Sequence, residues 1–300
     1  MATSQRSRSR RTSSSKNRAP RYVEPVLDPT WQNPYTPSAA ERDANLGATR
    51  AFVLRRRRPQ LVVTALVAVA LIIGVVLSPW LLVVGLLVAA FGAFDLQRAL
   101  AAAPSKGDGL GAVMLETFTP GGSPTDRQRL VTVLDRLSAT FGVTGVSAFI
   151  IEDSTYNATL VPNGPSFSLF ITNAVMRDFE LIELEGVVAH LLARHRLGAL
   201  ARAAASASMD LSPALRRELA GEGVAYRADE VAAAAIRYPL GLAGALRKCA
   251  RQVVEPSSFF ATSTYDRWRY TFFNAWSDRP EGDLSDLDDV ELRALALEEW

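Results

Sequence analysis

LVVTALVAVALIIGVVLSPWLLVVGLLVAAFGAF, residues 61–94, contains no charged side chain and decides how this chain is organised. A helix crosses the hydrocarbon core of a bilayer with about 20 residues, so this run is too long for one upright crossing. Ser78-Pro79-Trp80 interrupts the run. Proline breaks the helical hydrogen-bond ladder, and tryptophan favours the membrane–water interface. The run therefore predicts a transmembrane helical hairpin over residues 51–100, with helices at about residues 59–77 and 81–98.

Basic residues flank the apolar run and predict its orientation. Residues 55–58, all arginine, precede the first helix, and Arg98 and Lys106 follow the second. Because basic segments stay on the cytoplasmic side, we expect a multi-pass protein of the inner (plasma) membrane with both termini cytoplasmic. A single tilted span that exports the C-terminal domain is the alternative. Small residues inside the run, namely Gly74, Gly85 and Gly92, would let the two helices approach closely.

The remaining composition excludes several classes of protein. The net charge is only +2, so bulk charge predicts no specific nucleic-acid partner. A single cysteine, Cys249, excludes an internal disulfide and a cysteine-rich metal site. The chain has 2 histidines, and neither has a recognisable serine or cysteine partner for nucleophilic catalysis. Hydrolases of the serine and cysteine types are therefore not indicated.

The first part of the chain, residues 1–50, is rich in serine, arginine and proline and has few large apolar side chains. Such a segment buries too little surface to offset the entropy of ordering, so we expect a disordered basic arm. Its cations would bind anionic lipid head groups at the membrane surface. Non-specific binding of nucleic acid by the same electrostatics, or a simple solvated tail, are the alternatives.

The residues after the hairpin predict an α+β domain that is mainly helical and has a small β-sheet. Residues 101–125 are rich in glycine, proline and serine and are predicted to be a linker, which overlaps the start of a domain over residues 112–300. Short β-like runs occupy residues 146–151 and 167–172. Helical periodicity occupies residues 125–141, 182–204, 213–236, 240–253 and those from 286 onward.

Four motifs follow one another along this domain. They are Asn157-Ala158, the apolar strand that ends with LFITNAV at residues 169–175, LEGVVAH at residues 184–190, and YRAD at residues 226–229. In order and spacing the four motifs resemble the HtpX-like membrane zinc peptidases, relatives of the CAAX prenyl proteases. The resemblance covers about residues 112–300, and an apolar hairpin before the domain also fits that family. It implies a metallopeptidase-like fold for the domain.

The resemblance also implies where the catalytic residues of the family would fall. The family motif H-E-x-x-H places two zinc-binding histidines one helical turn apart with a water-activating glutamate between them, and a later glutamate completes the ligand set. In this chain, His190 stands at the position of the first ligand. Leu191 replaces the catalytic glutamate, Arg194 replaces the second histidine, and Ala225 replaces the third ligand. No catalytic residue and no zinc or other cofactor is therefore expected, and the chain is predicted to be a pseudoenzyme.

A relict of the site is expected at His190, Arg194, Glu222 and Asp229. In the family, the acid at the position of Asp229 orients the first histidine. A buried carboxylate that has lost a metal needs another cation, so we predict that Arg194 forks onto Asp229 or Glu222. Asp278-Arg279-Pro280 stands where the family has a histidine–proline element.

These observations lead to two predictions of function. The first is a membrane-anchored, catalytically inactive scaffold that binds the bilayer and a protein partner at the former substrate cleft. The alternative is an active membrane zinc metalloendopeptidase whose ligands are His190, Glu222 and Asp229. His195 cannot easily join His190 on one ion, because five residues advance about 500° around a helix and separate the rings by about 140°.

Overall fold

The computed structural model describes residues 35–74, 78–275 and 289–300. These residues form a mainly helical α+β domain with a three-stranded sheet, as the sequence predicts. Most of the basic arm, the end of the first apolar helix, the Asp278-Arg279-Pro280 element and the predicted start of the last helix lie outside the described residues.

The strands are β1 (Val146–Ile151), β2 (Ala158–Asn163) and β3 (Ser166–Thr172). The helices are α1 (Ala39–Ile73), α2 (Trp80–Ala102), α3 (Leu110–Thr117), α4 (Pro124–Phe141), α5 (Asn173–Asp178), α6 (Leu181–Arg196), α7 (Ala199–Ser208), α8 (Pro213–Ala220), α9 (Val224–Ile236), α10 (Pro239–Arg251), α11 (Ser263–Trp268) and α12 (Val290–Glu298). Short 3₁₀ turns occupy Phe259–Ala261 and Arg269–Thr271.

The first helix begins at Ala39, much earlier than the predicted start at residue 59, and includes residues assigned above to the disordered arm. Ser38 caps it by accepting a hydrogen bond from the Glu41 amide at 3.0 Å. Further along the helix, Thr49, Phe52 and Val53 are buried. The apolar face of this part of the helix is short and lies in a polar segment, so the sequence did not predict a helix here. The structure shows that this face packs against the domain.

The two helices α1 and α2 pack side by side in opposite directions, and the three glycines lie at their contacts. Gly74 lies against Leu81, and Gly85 lies against Ala68 and Leu71. A Cβ atom on Gly92 would come within 2.7 Å of Thr64 Cγ2. The close approach predicted for these glycines is therefore confirmed, because a side chain at these positions would push the helices apart.

Among the described helices, α2 alone is long and apolar enough, by length and composition, to cross a membrane. Many of its apolar side chains are exposed, with Leu87 63% and Phe91 74% exposed. Val62 and Leu66 on the second half of α1 are similarly exposed, at 58% and 64%. The outer surface of the helix pair is therefore apolar and uncovered.

The sheet has the strand order β1-β3-β2, with β1 parallel and β2 antiparallel to β3. The strand β2 was not predicted, because Pro162 and Asn163 at its end read as part of a loop. Proline is tolerated there because β2 is an edge strand of this sheet. Gly164, with a φ of 61°, supplies the turn that joins β2 to β3.

Glycines also divide two predicted helices. The helix expected over residues 182–204 breaks at Gly198, whose φ of 73° requires a left-handed conformation. The helix expected over residues 213–236 breaks at Gly221 and Gly223, with φ values of 92° and 73°. The predicted linker at residues 101–125 is partly helical, because α3 buries Leu110 and Met114 against the domain.

The sheet separates two hydrophobic cores, since alternate residues of a strand point to opposite faces. Ile150, Leu160 and Leu169 contribute to the larger core, with α4, α6, α9, α10 and α12. Ile151, Val161 and Phe170 contribute to the other core, with α3, α7, α11 and an aromatic group. The members of that group are Phe259, Phe260, Tyr265, Trp268 and Phe272. The candidate site lies among the helices of the larger core.

Candidate functional site

Three helices bring the central residues of the site together. His190 lies on α6, Asp229 on α9 and Arg293 on α12, and their side chains are 0%, 3% and 1% exposed. The helices meet because each has an apolar face in the same core, which includes Leu191, Ala232 and Ala294. The polar residues therefore sit inside a hydrophobic contact, where each must find a partner.

The pair formed by His190 and Asp229 is present as predicted, with 2.7 Å between His190 Nδ1 and Asp229 Oδ1. Burial is the main effect on the histidine and lowers the pKa of His190 to about 4, although Asp229 opposes it. The ring is therefore neutral near pH 7, and Nδ1–H donates to the carboxylate. His190 Nε2 is left as a buried acceptor with no hydrogen-bond donor among the described residues.

Asp229 takes its compensating charge from Arg293. The guanidinium Nε donates to Asp229 Oδ2 at 2.6 Å, and a second nitrogen donates to Oδ1 at 3.0 Å. Arg293 also donates to the Phe273 carbonyl at 3.2 Å and lies over the Phe273 ring. Burial opposes ionisation of Asp229, but Arg293 and His190 outweigh it, so the pKa of this carboxyl is lowered.

Arg194 has a different role from the one predicted. Its guanidinium donates to the carbonyls of Thr271 at 2.8 Å, Phe272 at 3.3 Å and Tyr270 at 2.5 Å. The cation expected beside Asp229 exists, but it is Arg293 from the C-terminal helix and not Arg194. The carbonyls of residues 270–272 need donors, and the Arg194 guanidinium supplies them.

The other residues predicted for the site lie apart from the pair. Glu222 is 62% exposed and forms its ion pair with Arg217, at 3.3 Å. Leu191 is fully buried in the larger core, and Ala225 lines a small cavity that Arg194 also lines. Within the described ranges, no group of three His, Cys, Asp or Glu side chains is placed to hold a metal ion.

The donor set around His190 does not fit the zinc ion that the family resemblance implies. A zinc site takes three or four nitrogen, sulfur or oxygen ligands from the protein. Here one potential ligand atom remains, His190 Nε2, which accepts no hydrogen bond from the described residues. The family's other ligand and catalytic positions hold Leu191, Arg194 and Ala225. The cavity beside Arg194 measures only about 30 Å³, and its lining residues include Arg194 and Arg293. Their positive charge disfavours a second cation nearby.

The Asn157-Ala158 motif holds the segment that contains Phe273. Asn157 Nδ2 donates to the Asn274 carbonyl at 2.8 Å, and the Asn274 amide donates back to Asn157 Oδ1 at 3.1 Å. The Tyr265 hydroxyl donates to the same carbonyl at 3.0 Å. All three side chains are buried. The motif therefore joins β2 to the segment against which His190 and Arg293 pack.

Arg293 is the central residue that the sequence reasoning missed, although a signal for it exists. It is the one basic residue in the last twenty positions, and it stands among many acids. It also adjoins Ala294 and Leu297, which are buried in α12. A cation on the apolar face of an amphipathic helix predicts a buried ion pair, since an unpaired buried charge is very costly.

His195 belongs to a separate contact. Its ring lies edge-on to Phe167 of β3, with 4.7 Å between the ring centroids. Burial and the neighbouring Arg42 lower the pKa of His195. The side chain is thus half-buried and does not form the solvated basic face that its neighbours Arg194 and Arg196 suggest.

The first half of α1 is fastened to the helices that form the site. Asn45 donates to the Leu197 carbonyl at 2.9 Å and accepts from Arg202 at 2.8 Å. Arg227, two residues before Asp229 on α9, donates to Glu41 at 2.9 Å. Because α1 is one helix from Ala39 to Ile73, the same helix reaches from the domain into the apolar hairpin.

Comparison with known proteins finds no matching family model and no matching curated protein.

Proposed function

We propose that this chain is a membrane-anchored scaffold whose domain is a catalytically inactive relative of the HtpX-like zinc peptidases. The observation that supports loss of catalysis best is the ion pair between Asp229 and Arg293, with Nε–Oδ2 at 2.6 Å. A guanidinium there balances the carboxylate charge that a metal would otherwise balance. The retained His190–Asp229 contact then serves to pin α6 to α9 inside the core.

Membrane anchoring by the hairpin is supported by the uncovered apolar surface of α1 and α2. Side chains of this size are seldom exposed over a continuous patch in a soluble protein. In the proposed arrangement the hairpin is a multi-pass anchor in the inner membrane, with the domain and both termini in the cytoplasm. The cations at residues 55–58 and at Arg98 lie at the cytoplasmic boundary.

A protein partner would not enter the cavity beside Arg194, because that cavity is only about 30 Å³. A larger groove of about 330 Å³ lies beside the edge strand β1. It is lined by apolar side chains that include Leu115, Phe118, Phe149 and Phe170. Such a groove suits an apolar segment of a partner, whose side chains can pack against this lining.

The loss of catalysis is tested on the full chain purified in a neutral detergent. We expect less than one zinc per ten chains by elemental analysis, and no cleavage of an unfolded casein-like substrate, because three ligand or catalytic positions cannot serve. One zinc per chain that a chelator removes with loss of stability would contradict the proposal.

A restored variant tests the family resemblance itself. Leu191→Glu, Arg194→His and Ala225→Glu together are expected to raise zinc affinity at least tenfold above the parent chain, since His190 Nε2 already lacks a donor. The matched control is the same triple change combined with His190→Gln, which should bind no better than the parent. A triple variant that is folded by circular dichroism yet gains no affinity would count against the resemblance.

The orientation of the hairpin is tested by reporters. A reporter of cytoplasmic location fused before Met1 and another fused after Trp300 are both expected to be active, because basic residues flank both ends of the apolar run. Fusion after Ser78, between the two helices, is the control and should report the opposite side. A periplasmic signal after Trp300 would instead establish a single span.

A further inference from the structure

The hairpin has two adjoining cavities where its basic residues meet its apolar residues. The first is a groove of about 500 Å³ between α1 and α2, lined largely by apolar side chains such as Leu87 and Phe91. The second measures about 430 Å³ and is bounded on the domain side by Met209. Arg57 and Asp95 line both, so the two cavities share a wall. We call them the apolar groove and the basic cavity.

The basic cavity has an excess of positive charge. Its charged lining residues are Arg56, Arg57, Arg98, Lys106 and Asp95. Arg57 pairs with Asp95, whereas Arg56, Arg98 and Lys106 have no carboxylate partner within the described part of the chain. Several cations that line one cavity without carboxylate partners attract an anion, and guanidinium groups favour phosphate.

The position of the basic cavity matches the level of a lipid head group. Arg56 and Arg57 lie just before the uncharged run of residues 61–94, and Arg98 lies just after it. The apolar groove extends from Arg57 into the uncharged part of both helices, past Thr64 and Val88. A ligand that fills both cavities therefore has an anionic end and an apolar end.

We propose that the apolar groove and the basic cavity together bind one anionic phospholipid, with its phosphate at Arg56, Arg98 and Lys106 and an acyl chain between α1 and α2. This inference rests on the proposed membrane anchoring and adds a specific lipid site to it. Each cavity lies within the 300–1,000 Å³ range typical of small-molecule sites. The site differs from the N-terminal arm, whose cations would attract anionic lipid without a cavity.

Two other ligands would use only half of the site. Inorganic phosphate would occupy the basic cavity and gain nothing from the apolar groove. A helix from a second copy of the chain would cover the apolar groove and leave Arg56, Arg98 and Lys106 without an anion. A phospholipid is the occupant that satisfies the charge of one cavity and the apolar lining of the other.

The test uses the full chain in neutral detergent, with bound lipids counted by native mass spectrometry. Phosphatidylglycerol is expected to bind with one molecule retained per chain and at least tenfold more tightly than phosphatidylcholine. The variant Arg56→Gln/Arg98→Gln/Lys106→Gln should weaken phosphatidylglycerol binding about 100-fold, since each cation near a lipid phosphate contributes roughly a factor of five.

Two further variants separate the site from general electrostatics. The control variant Arg127→Gln/Arg251→Gln/Arg267→Gln removes the same charge at exposed positions of the domain. This control should weaken binding less than threefold. Val88→Trp fills the apolar groove without changing charge, and it should weaken phosphatidylglycerol at least tenfold while leaving inorganic phosphate binding unchanged.

Several results would overturn the proposal. One such result is equal affinity for phosphatidylglycerol and phosphatidylcholine. Another is an equal loss of phosphatidylglycerol affinity in the two triple variants. A third is full displacement of phosphatidylglycerol by inorganic phosphate, together with unchanged lipid affinity in Val88→Trp. A dimer that retains no lipid would assign the apolar groove to a second copy. Alkaline extraction of membranes from the same cells distinguishes the two proposals. A chain that resists extraction but shows no lipid preference would contradict only the lipid site. A chain that is released by extraction would contradict the membrane anchoring.

Discussion

Replacing Arg293 with methionine is expected to lower the free energy of unfolding by about 3–5 kcal/mol, because the buried Asp229 carboxylate would lose its cation. Methionine keeps much of the apolar bulk of the side chain but donates no hydrogen bond. Asp229 would then have to remain charged with only the neutral His190 as a donor, or take up a proton. The measurement is urea unfolding of the full chain in detergent, followed by tryptophan fluorescence.

The matched control is Arg247→Met, which removes a different arginine that holds the same helix. Arg247 pairs with Glu291 and Glu298 of α12 at the surface. Exposed pairs of this kind contribute little because solvent screens them, so the control should lose much less stability than Arg293→Met. Adding Asp229→Asn to Arg293→Met should recover part of the loss, since the uncompensated charge disappears. A loss below 1 kcal/mol in Arg293→Met would contradict the buried ion pair.

Replacing Leu87 with arginine is expected to remove most of the protein from the membrane fraction. Leu87 lies near the middle of the apolar part of α2 and is 63% exposed, so a bilayer would contact it directly. An arginine at the centre of a membrane helix costs about 2.5–3.5 kcal/mol on insertion scales, which corresponds to roughly a 100-fold shift in the insertion equilibrium. The measurement is the fraction that resists alkaline extraction.

The control for this experiment is Val253→Arg. Val253 is 89% exposed but lies after α10 in the domain, where water already surrounds the side chain. The change there should leave the membrane fraction and the stability within experimental error. If Leu87→Arg behaved like Val253→Arg, with full recovery in the extraction-resistant fraction, the apolar face of α2 would not contact lipid.

Local patterns were enough to predict much of the architecture. The mainly helical α+β class, the runs that became β1 and β3, and the helix ending at Phe141 follow from periodicity within single segments. The close packing at Gly74, Gly85 and Gly92 follows from small residues in two apolar helices. These features depend on interactions between residues close in sequence, or on the hydrophobicity and size of individual side chains.

The boundaries that failed depend on contacts distant in sequence. The strand β2 contains Pro162 and looks like a loop until β3 pairs with it. The start of α1 looks like part of a polar arm until Phe52 meets Leu211 and Leu219. A single glycine such as Gly198 is compatible with a continuous helix, so the sequence predicted no break there. The break follows from the packing of α7 in the folded domain.

The sequence by itself determined that Leu191, Arg194 and Ala225 provide no zinc ligands, since side-chain chemistry is a property of each residue. The pairing of His190 with Asp229, which lie on different helices, was expected from the family resemblance and not from helical spacing. Only the tertiary structure decided which cation balances Asp229. Arg194 and Arg293 were both available, and the choice depends on where α12 docks and where the carbonyls of residues 270–272 lie. The docking of α12 is decided by burial of Ala294 and Leu297 against other helices, which no local pattern encodes.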